Sequence, residues 1–179
     1  MGGWEKPSVP ITLLLDTNTL IRFITGEPED QAREVAELVA SAEAGKVRLC
    51  VLPMVPAEAV FVLTGFYKHP RAKVAAALSN LIACSGFQSP EQDRMIHALK
   101  LFGPSKIDFV DCYLAAVSIL EKGSVVSFDR DLDKLHGVTR KTPAAMAKPE
   151  PSIKFHEHTN PILPRVHQRQ FLHVHLRSN

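Results

Sequence analysis

Along the chain, short apolar runs alternate with longer segments of helical spacing. The run at 11–15, ITLLL, has strand length and lies between Pro10 and Asp16-Thr17-Asn18. It predicts a buried parallel strand that ends in a helix cap. Residues 19–25 predict a short helix stopped at Gly26-Glu27-Pro28. In 29–44, Ala32, Val35, Ala36, Val39 and Ala40 recur at helical spacing ahead of a terminating Gly45. A second strand follows at 47–52, then a helix from Pro53 to about Phe66 with Pro56 near its first turn. Residues 71–84 form an Ala- and Leu-rich helix and 86–88 a short strand. Ser89-Pro90-Glu91 reads as a helix start, with Ser as the cap and Pro in the first position, and that helix runs to about Phe102. A strongly apolar helix at 108–122 ends at Gly123, a strand follows at 124–128, and a short helix ends near Gly137. Strands that alternate with helices in this way predict an α/β fold with a mostly parallel sheet.

From about Arg140 no period is visible. Five of the 13 prolines and five of the eight histidines fall in the last forty residues. The expected organisation is an N-terminal extension (1–10), a folded body (11–142) and a basic, Pro/His-rich tail (143–179), irregular apart from a short strand at 171–176. The pairs His156/His158 and His173/His175 would each share one face of an extended chain. Accidental pairs of this kind are common, and a basic arm or a passive tail explains the segment better than a metal site.

At 179 residues the chain is long enough for one domain with a proper core and too short for two ordinary ones. Its net charge of +2 hides an asymmetry. Residues 1–139 carry 14 Lys and Arg against 17 Asp and Glu, a net −3, whereas 140–179 carry 7 against 2, a net +5. A basic end on a slightly acidic body hints at contact with nucleic acid or another acidic surface. Cys50, Cys84 and Cys112 are odd in number and widely spaced, which disfavours a zinc site or a disulfide framework and fits a reduced, cytoplasmic setting. The N-terminus does not read as a secretion signal. The apolar stretch 49–67 contains Pro53, Pro56 and a central Glu58, so it reads as strand, turn and buried helix and not as a membrane span.

Four carboxylates stand out. Asp16 directly follows a strand, where α/β sheets bind ligands, but it also suits a helix cap. Glu58 is the one charged residue between Val51 and Tyr67, and its apolar surroundings argue against the usual solvent-facing fate of a Glu. Asp111 lies one turn into the apolar helix. Asp108 before it suits the cap position, and the helix dipole favours both. Asp129 follows the strand at 124–128, with Asp131 two residues on, and again a helix cap is the plain alternative. All four can reach one edge of a parallel sheet. Carboxylates gathered there would repel and raise one another's pKa values, and a hard divalent cation with oxygen ligands, Mg²⁺ or Mn²⁺, removes the conflict.

These segments resemble a known family. "LLLDTNTLIRF", "VPAEAVFVL", "IDFVDCYLAA" and "VVSFDRDLDKL" look like the four acidic motifs of PIN domains, in the expected order over about 130 residues. They are most similar to the VapC group, the ribonuclease toxins of toxin–antitoxin pairs. The resemblance implies a three-layer α/β sandwich, with a central parallel sheet of about five strands flanked by helices. It makes Asp16 and Asp111 the principal metal ligands and Glu58 and Asp129 the other two acids, with Asp131 in support. Thr17, Asn18 and Ser127 fall at the polar positions beside them, Ser127 where Thr is more usual. The implied activity is Mg²⁺- or Mn²⁺-dependent hydrolysis of RNA phosphodiesters by in-line attack of water, leaving a 5′-phosphate and a 3′-hydroxyl. The implied partners are RNA, a VapB-like antitoxin lying across the acidic groove, and a second copy in a homodimer, with no membrane. Apolar helices at 60–66 and 74–82 would supply the antitoxin groove, or else core or dimer packing. The tail after 143 is not covered by the resemblance.

Two other readings compete. A phosphatase-type enzyme with Asp16 as covalent nucleophile would want a second Asp two residues on, where Asn18 stands, and would leave Glu58 unexplained. A non-catalytic RNA- or partner-binding module would not need all four acids.

Overall fold

Three parallel strands carry the centre of the molecule. The structure is a computed structural model and describes residues 11–146. Strand β1 (Ile11–Leu14) pairs with β2 (Val47–Cys50), Leu13 opposite Leu49, and β2 pairs with β3 (Phe87–Gln88), Leu49 opposite Phe87. Strands β4 (Val125–Val126) and β5 (Arg140–Lys141) form a second parallel pair. The five strands expected in one sheet thus divide into a sheet of three and a sheet of two.

Parallel neighbours need crossovers, and helices supply them. α1 (Thr17–Thr25) and α2 (Glu29–Glu43) link β1 to β2, and α3 (Met54–Gly65) and α4 (Arg71–Ala83) link β2 to β3. α5 (Gln92–Phe102) and α6 (Phe109–Leu120) lead on to β4. A 3₁₀ turn (Arg130–Lys134) joins β4 to β5, and α7 (Pro143–Met146) follows. Among the described residues no helix is long and apolar enough to cross a membrane, and the stretch that raised the question divides into β2 and α3.

The core forms where the helices cover the sheet. Leu49 on β2, Leu63 on α3, Leu78 on α4 and Leu99 on α5 have no solvent exposure. Phe102 on α5 meets Phe109 on α6 edge to face at 5.6 Å. Arg71 at the start of α4 lies over the Phe102 ring, 3.7 Å from its centre, and donates to the carbonyl of Ile107. That contact anchors the approach to α6. α1 ends as expected at Gly26, whose φ of 74° few other residues adopt comfortably. Gly86 precedes β3 because a Cβ there would come within 2.9 Å of Ala42 Cβ and 3.0 Å of the Glu43 backbone nitrogen.

Four expectations need correction. β1 is not buried on both faces. Ile11 and Leu14, three apart and so on opposite faces, are both exposed, because nothing among the described residues packs over either side chain. α5 starts at Gln92 and not at Pro90. Glu91 holds the cap position, and its carboxylate accepts the Tyr113 hydroxyl of α6 and pairs with Arg94. α6 is not buried all round, since Val110 and Leu114 face outward. Residues 140–146 are ordered into β5 and α7, with the Ala145 N–H donating to Thr142 and Pro143 at the first helical position. The strand expected at 171–176 and the two histidine pairs lie outside the described residues.

Candidate functional site

Asp16 stands at the carboxyl end of β1 and caps α1. Its Oδ1 accepts the Thr19 N–H at 2.8 Å and the Thr19 hydroxyl at 2.6 Å. Those two bonds hold its carboxyl below the usual carboxylate range. Asp16 is therefore exposed, ionised at neutral pH and fixed in direction. The cap does not preclude a ligand at Asp16, because it uses one oxygen and leaves the other.

The next residue ties this group to α3. Thr17 donates its hydroxyl to Glu58 Oε2 at 2.6 Å. Glu58 is exposed, contrary to the burial expected from its apolar neighbours. α3 turns Ala59, Val60 and Leu63 inward and leaves Met54, Glu58 and Phe61 on its outer side. Asn18 is exposed and makes no side-chain hydrogen bond to the described residues.

A second group forms around α6. Asp108 occupies the cap position of α6 without a side-chain cap bond, and Asp111 lies in the first turn. Burial pushes the Asp111 carboxyl up, and the nearby carboxylates of Asp129, Asp108 and Asp131 push it in the same direction. The helix dipole opposes the shift but does not overcome it.

Asp129 follows β4 and caps the 3₁₀ turn, its Oδ1 accepting the Asp131 N–H at 2.8 Å. Its own N–H donates to the Ser127 hydroxyl at 3.0 Å. Ser127 thus holds the backbone from which Asp129 projects. Asp131 pairs with Lys134. An apolar cleft of about 170 Å³, lined by Pro53, Met54, Ala57, Phe109, Val110 and Tyr113, separates the helices that carry Glu58 and Asp111.

The structure therefore assembles the expected residues as two groups. Asp16, Thr17 and Glu58 are linked by position and by a hydrogen bond, and Asp108, Asp111, Asp129 and Asp131 share one field. The donor chemistry fits a hard divalent cation, being carboxylate oxygen throughout. Among the described residues, no three carboxylate, imidazole or thiol side chains converge closely enough to hold one ion. Cys50, Cys84 and Cys112 are unpaired, and Cys112 is buried in the core.

Sequence reasoning missed several residues that hold the acids. Thr19 follows Asp16 by three, the spacing of a helix-cap bond, so that signal was readable. Arg140 was not readable. It lies where the periodicity ends, and it binds Asp133 through Nε and Nη2, each at 2.8 Å. The helices expected to supply a partner groove are mostly core. Val60, Leu63, Val74, Leu78, Leu81 and Ile82 are buried, whereas Phe61 and Phe66 remain at the surface.

Comparison with known families gives one match, to the PIN domain over residues 13–138. The matched span contains all four acids. No curated protein matches the chain.

Proposed function

The chain belongs to the PIN-domain family, whose members are typically metal-dependent nucleases, and from that premise we propose that it is an Mg²⁺- or Mn²⁺-dependent endoribonuclease. The observation that carries the reading is Asp111, whose half-buried carboxyl is pushed up by burial and by three further carboxylates. Negative charge concentrated at the end of a strand and the start of a helix costs stability, and a protein keeps it where it binds a cation. Asp16, Glu58, Asp111 and Asp129 would hold the ion by drawing their two groups together around it, since among the described residues no three such side chains already converge closely enough to do so. When bound, a divalent cation supplies water of lowered pKa and neutralises charge on the phosphate.

The chain's own residues set up that chemistry. Thr19 keeps Asp16 ionised and aimed, Thr17 orients Glu58, and Ser127 fixes the backbone of Asp129. Asp108 and Asp131 add to the field that draws a cation in. A divalent charge in turn attracts the phosphate backbone of RNA to a face that would otherwise repel it.

We infer further a VapC-like toxin acting in the cytoplasm, paired with a VapB-like antitoxin and dimeric in solution. The likeness of the four acidic segments to those of the VapC group supports the toxin reading. The exposed Met54, Phe61 and Phe66 on and beside α3 support a partner, since large apolar side chains left together at a surface mark interaction sites.

The test is cleavage of unstructured oligoribonucleotides by the full chain with Mg²⁺ or Mn²⁺. The expected products carry 5′-phosphates and 3′-hydroxyls, and EDTA abolishes them. Asp16→Asn should lower the rate about 10³-fold or more, while Asn retains the helix cap. Cleavage that survives EDTA, or no cleavage with either ion, would overturn the reading.

A further inference from the structure

Arg140 lies outside the four acidic motifs, on the short strand β5. Its side chain is only 14% exposed, and its whole guanidinium fork is used. Nε and Nη2 take the two carboxylate oxygens of Asp133, each at 2.8 Å, and Nη1 donates to the Ser127 carbonyl at 3.0 Å. Ser127 and Asp133 are the two ends of the segment that has Asp129 inside it. One planar group therefore clasps that segment at both ends.

The bonds inside the clasp lead directly to Asp129. Ser127 is held by the Arg140 guanidinium at its carbonyl and by the Lys141 carbonyl at its N–H, the latter at 3.0 Å. Its hydroxyl then accepts the Asp129 N–H at 3.0 Å. On the other side, Asp129 accepts the Asp131 N–H at 2.8 Å, within the same turn that Asp133 pins to Arg140. A Lys could pair with Asp133, but it lacks the planar fork that binds one carboxylate with two N–H groups and still reaches a carbonyl.

We propose that Arg140 is a positioning residue for Asp129, holding its carboxylate in the direction that cation binding requires. This rests on the proposed role of Asp129 as a metal ligand. Partners hydrogen-bonded to metal ligands set ligand orientation, and losing one typically weakens metal binding about 10–100-fold. Arg140 acts one link further out, through Ser127 and Asp133, which places its effect at the lower end, about tenfold. The plain alternative is that Arg140 only fastens β5 to β4.

The test compares the full chain with Arg140→Lys and Asp133→Asn in three measurements: Mn²⁺ binding followed by electron paramagnetic resonance without RNA, amide hydrogen exchange at Asp129 and Asp131, and the Mn²⁺ dependence of cleavage. Arg140→Lys should weaken Mn²⁺ binding about tenfold and speed exchange at Asp129, with a cooperative melt retained. Excess Mn²⁺ should restore cleavage to within about threefold, since the defect lies in holding the ligand. A mere fastening role predicts a lower melting temperature with unchanged Mn²⁺ affinity, and that result overturns the proposal. If Arg140→Lys does not fold, Asp133→Asn is judged by the same outcomes. If the unsubstituted protein binds no Mn²⁺, the proposed function falls by itself. Exchange at Asp129 then decides the clasp: faster exchange in the variants supports it and unchanged exchange overturns it.

Discussion

Replacing Asp111 by Asn removes a charge disfavoured by burial and by the carboxylates of Asp129, Asp108 and Asp131, and it leaves the side-chain shape almost unchanged. The Asp111 carboxyl titrates higher in the folded chain than its ordinary 3.8, so the folded state binds the proton more tightly than the unfolded state does. The ionised form therefore opposes folding at neutral pH. That opposition fades as pH falls through the folded value and is gone below the unfolded one. Relieving such repulsion commonly returns about 0.5–2 kcal/mol. Lys134 pairs with Asp131 and weakens its push on Asp111, and solvent screens a half-buried position, which places the gain at the lower end, about 0.5–1 kcal/mol. For a domain of this size that is about 1–4 °C in Tm. Mn²⁺ should reverse the order. At a hundred times its Kd, a ligand stabilises the protein that binds it by about 2.7 kcal/mol, and the Asn variant forfeits most of that. Thermal melts of both proteins at pH 7, in EDTA and in Mn²⁺, and again near pH 3.5, read all three statements. An Asn variant that melts below the unsubstituted protein in EDTA at pH 7 would refute the electrostatic reasoning.

Three further outcomes follow from packing and pairing. Leu63→Ala should cost about 2–5 kcal/mol in urea unfolding, because Leu63 has no exposure and its loss leaves a cavity under α3. Gly86→Ala should cost about 1–3 kcal/mol by the same measurement, since the added methyl group meets Ala42 and the Glu43 backbone at 3.0 Å or less. The Arg140 guanidinium bound to Asp133 holds that carboxyl below its ordinary 3.8, so the pair's contribution is present above 3.8 and is lost as pH falls through the depressed folded value. A titration followed by carboxyl NMR should show Asp133 protonating below its ordinary 3.8 (protonation at or above that value would exclude the clasp), and Arg140→Lys should narrow the gap.

The fold was legible where the chain's periodicity is strong. The ITLLL run, the helical spacing of 29–44 and the apolar helix at 108–122 each became the expected element, because one face of each meets a common core. The positions of two candidate acids were legible for a related reason: Asp16 and Asp129 interrupt the pattern where strands end, and each caps the turn that follows as expected. What was not legible depends on distant neighbours. The exposure of Ile11 and Leu14 follows from the lack of packing over both faces of β1 at those positions among the described residues, which no local pattern states. The outward turn of Glu58 follows from α3 presenting Ala59, Val60 and Leu63 to the core, when its residues are apolar nearly all round. The helix start at Gln92 was displaced from Pro90 by bonds from Glu91 to Tyr113 and Arg94, partners that sequence spacing does not reveal. Arg140 makes its side-chain contacts with Ser127 and Asp133, thirteen and seven residues back.

The most direct test of the central claim is a double-substitution cycle on Mn²⁺ affinity, with Asp16→Asn and Asp111→Asn made singly and together. If the carboxylates of β1 and α6 serve one cation site, each single change should cost about as much as the pair, because the second removes a ligand from a site already lost. Losses that add independently would mean that the two groups never share an ion, and the account of a single nuclease centre would be wrong.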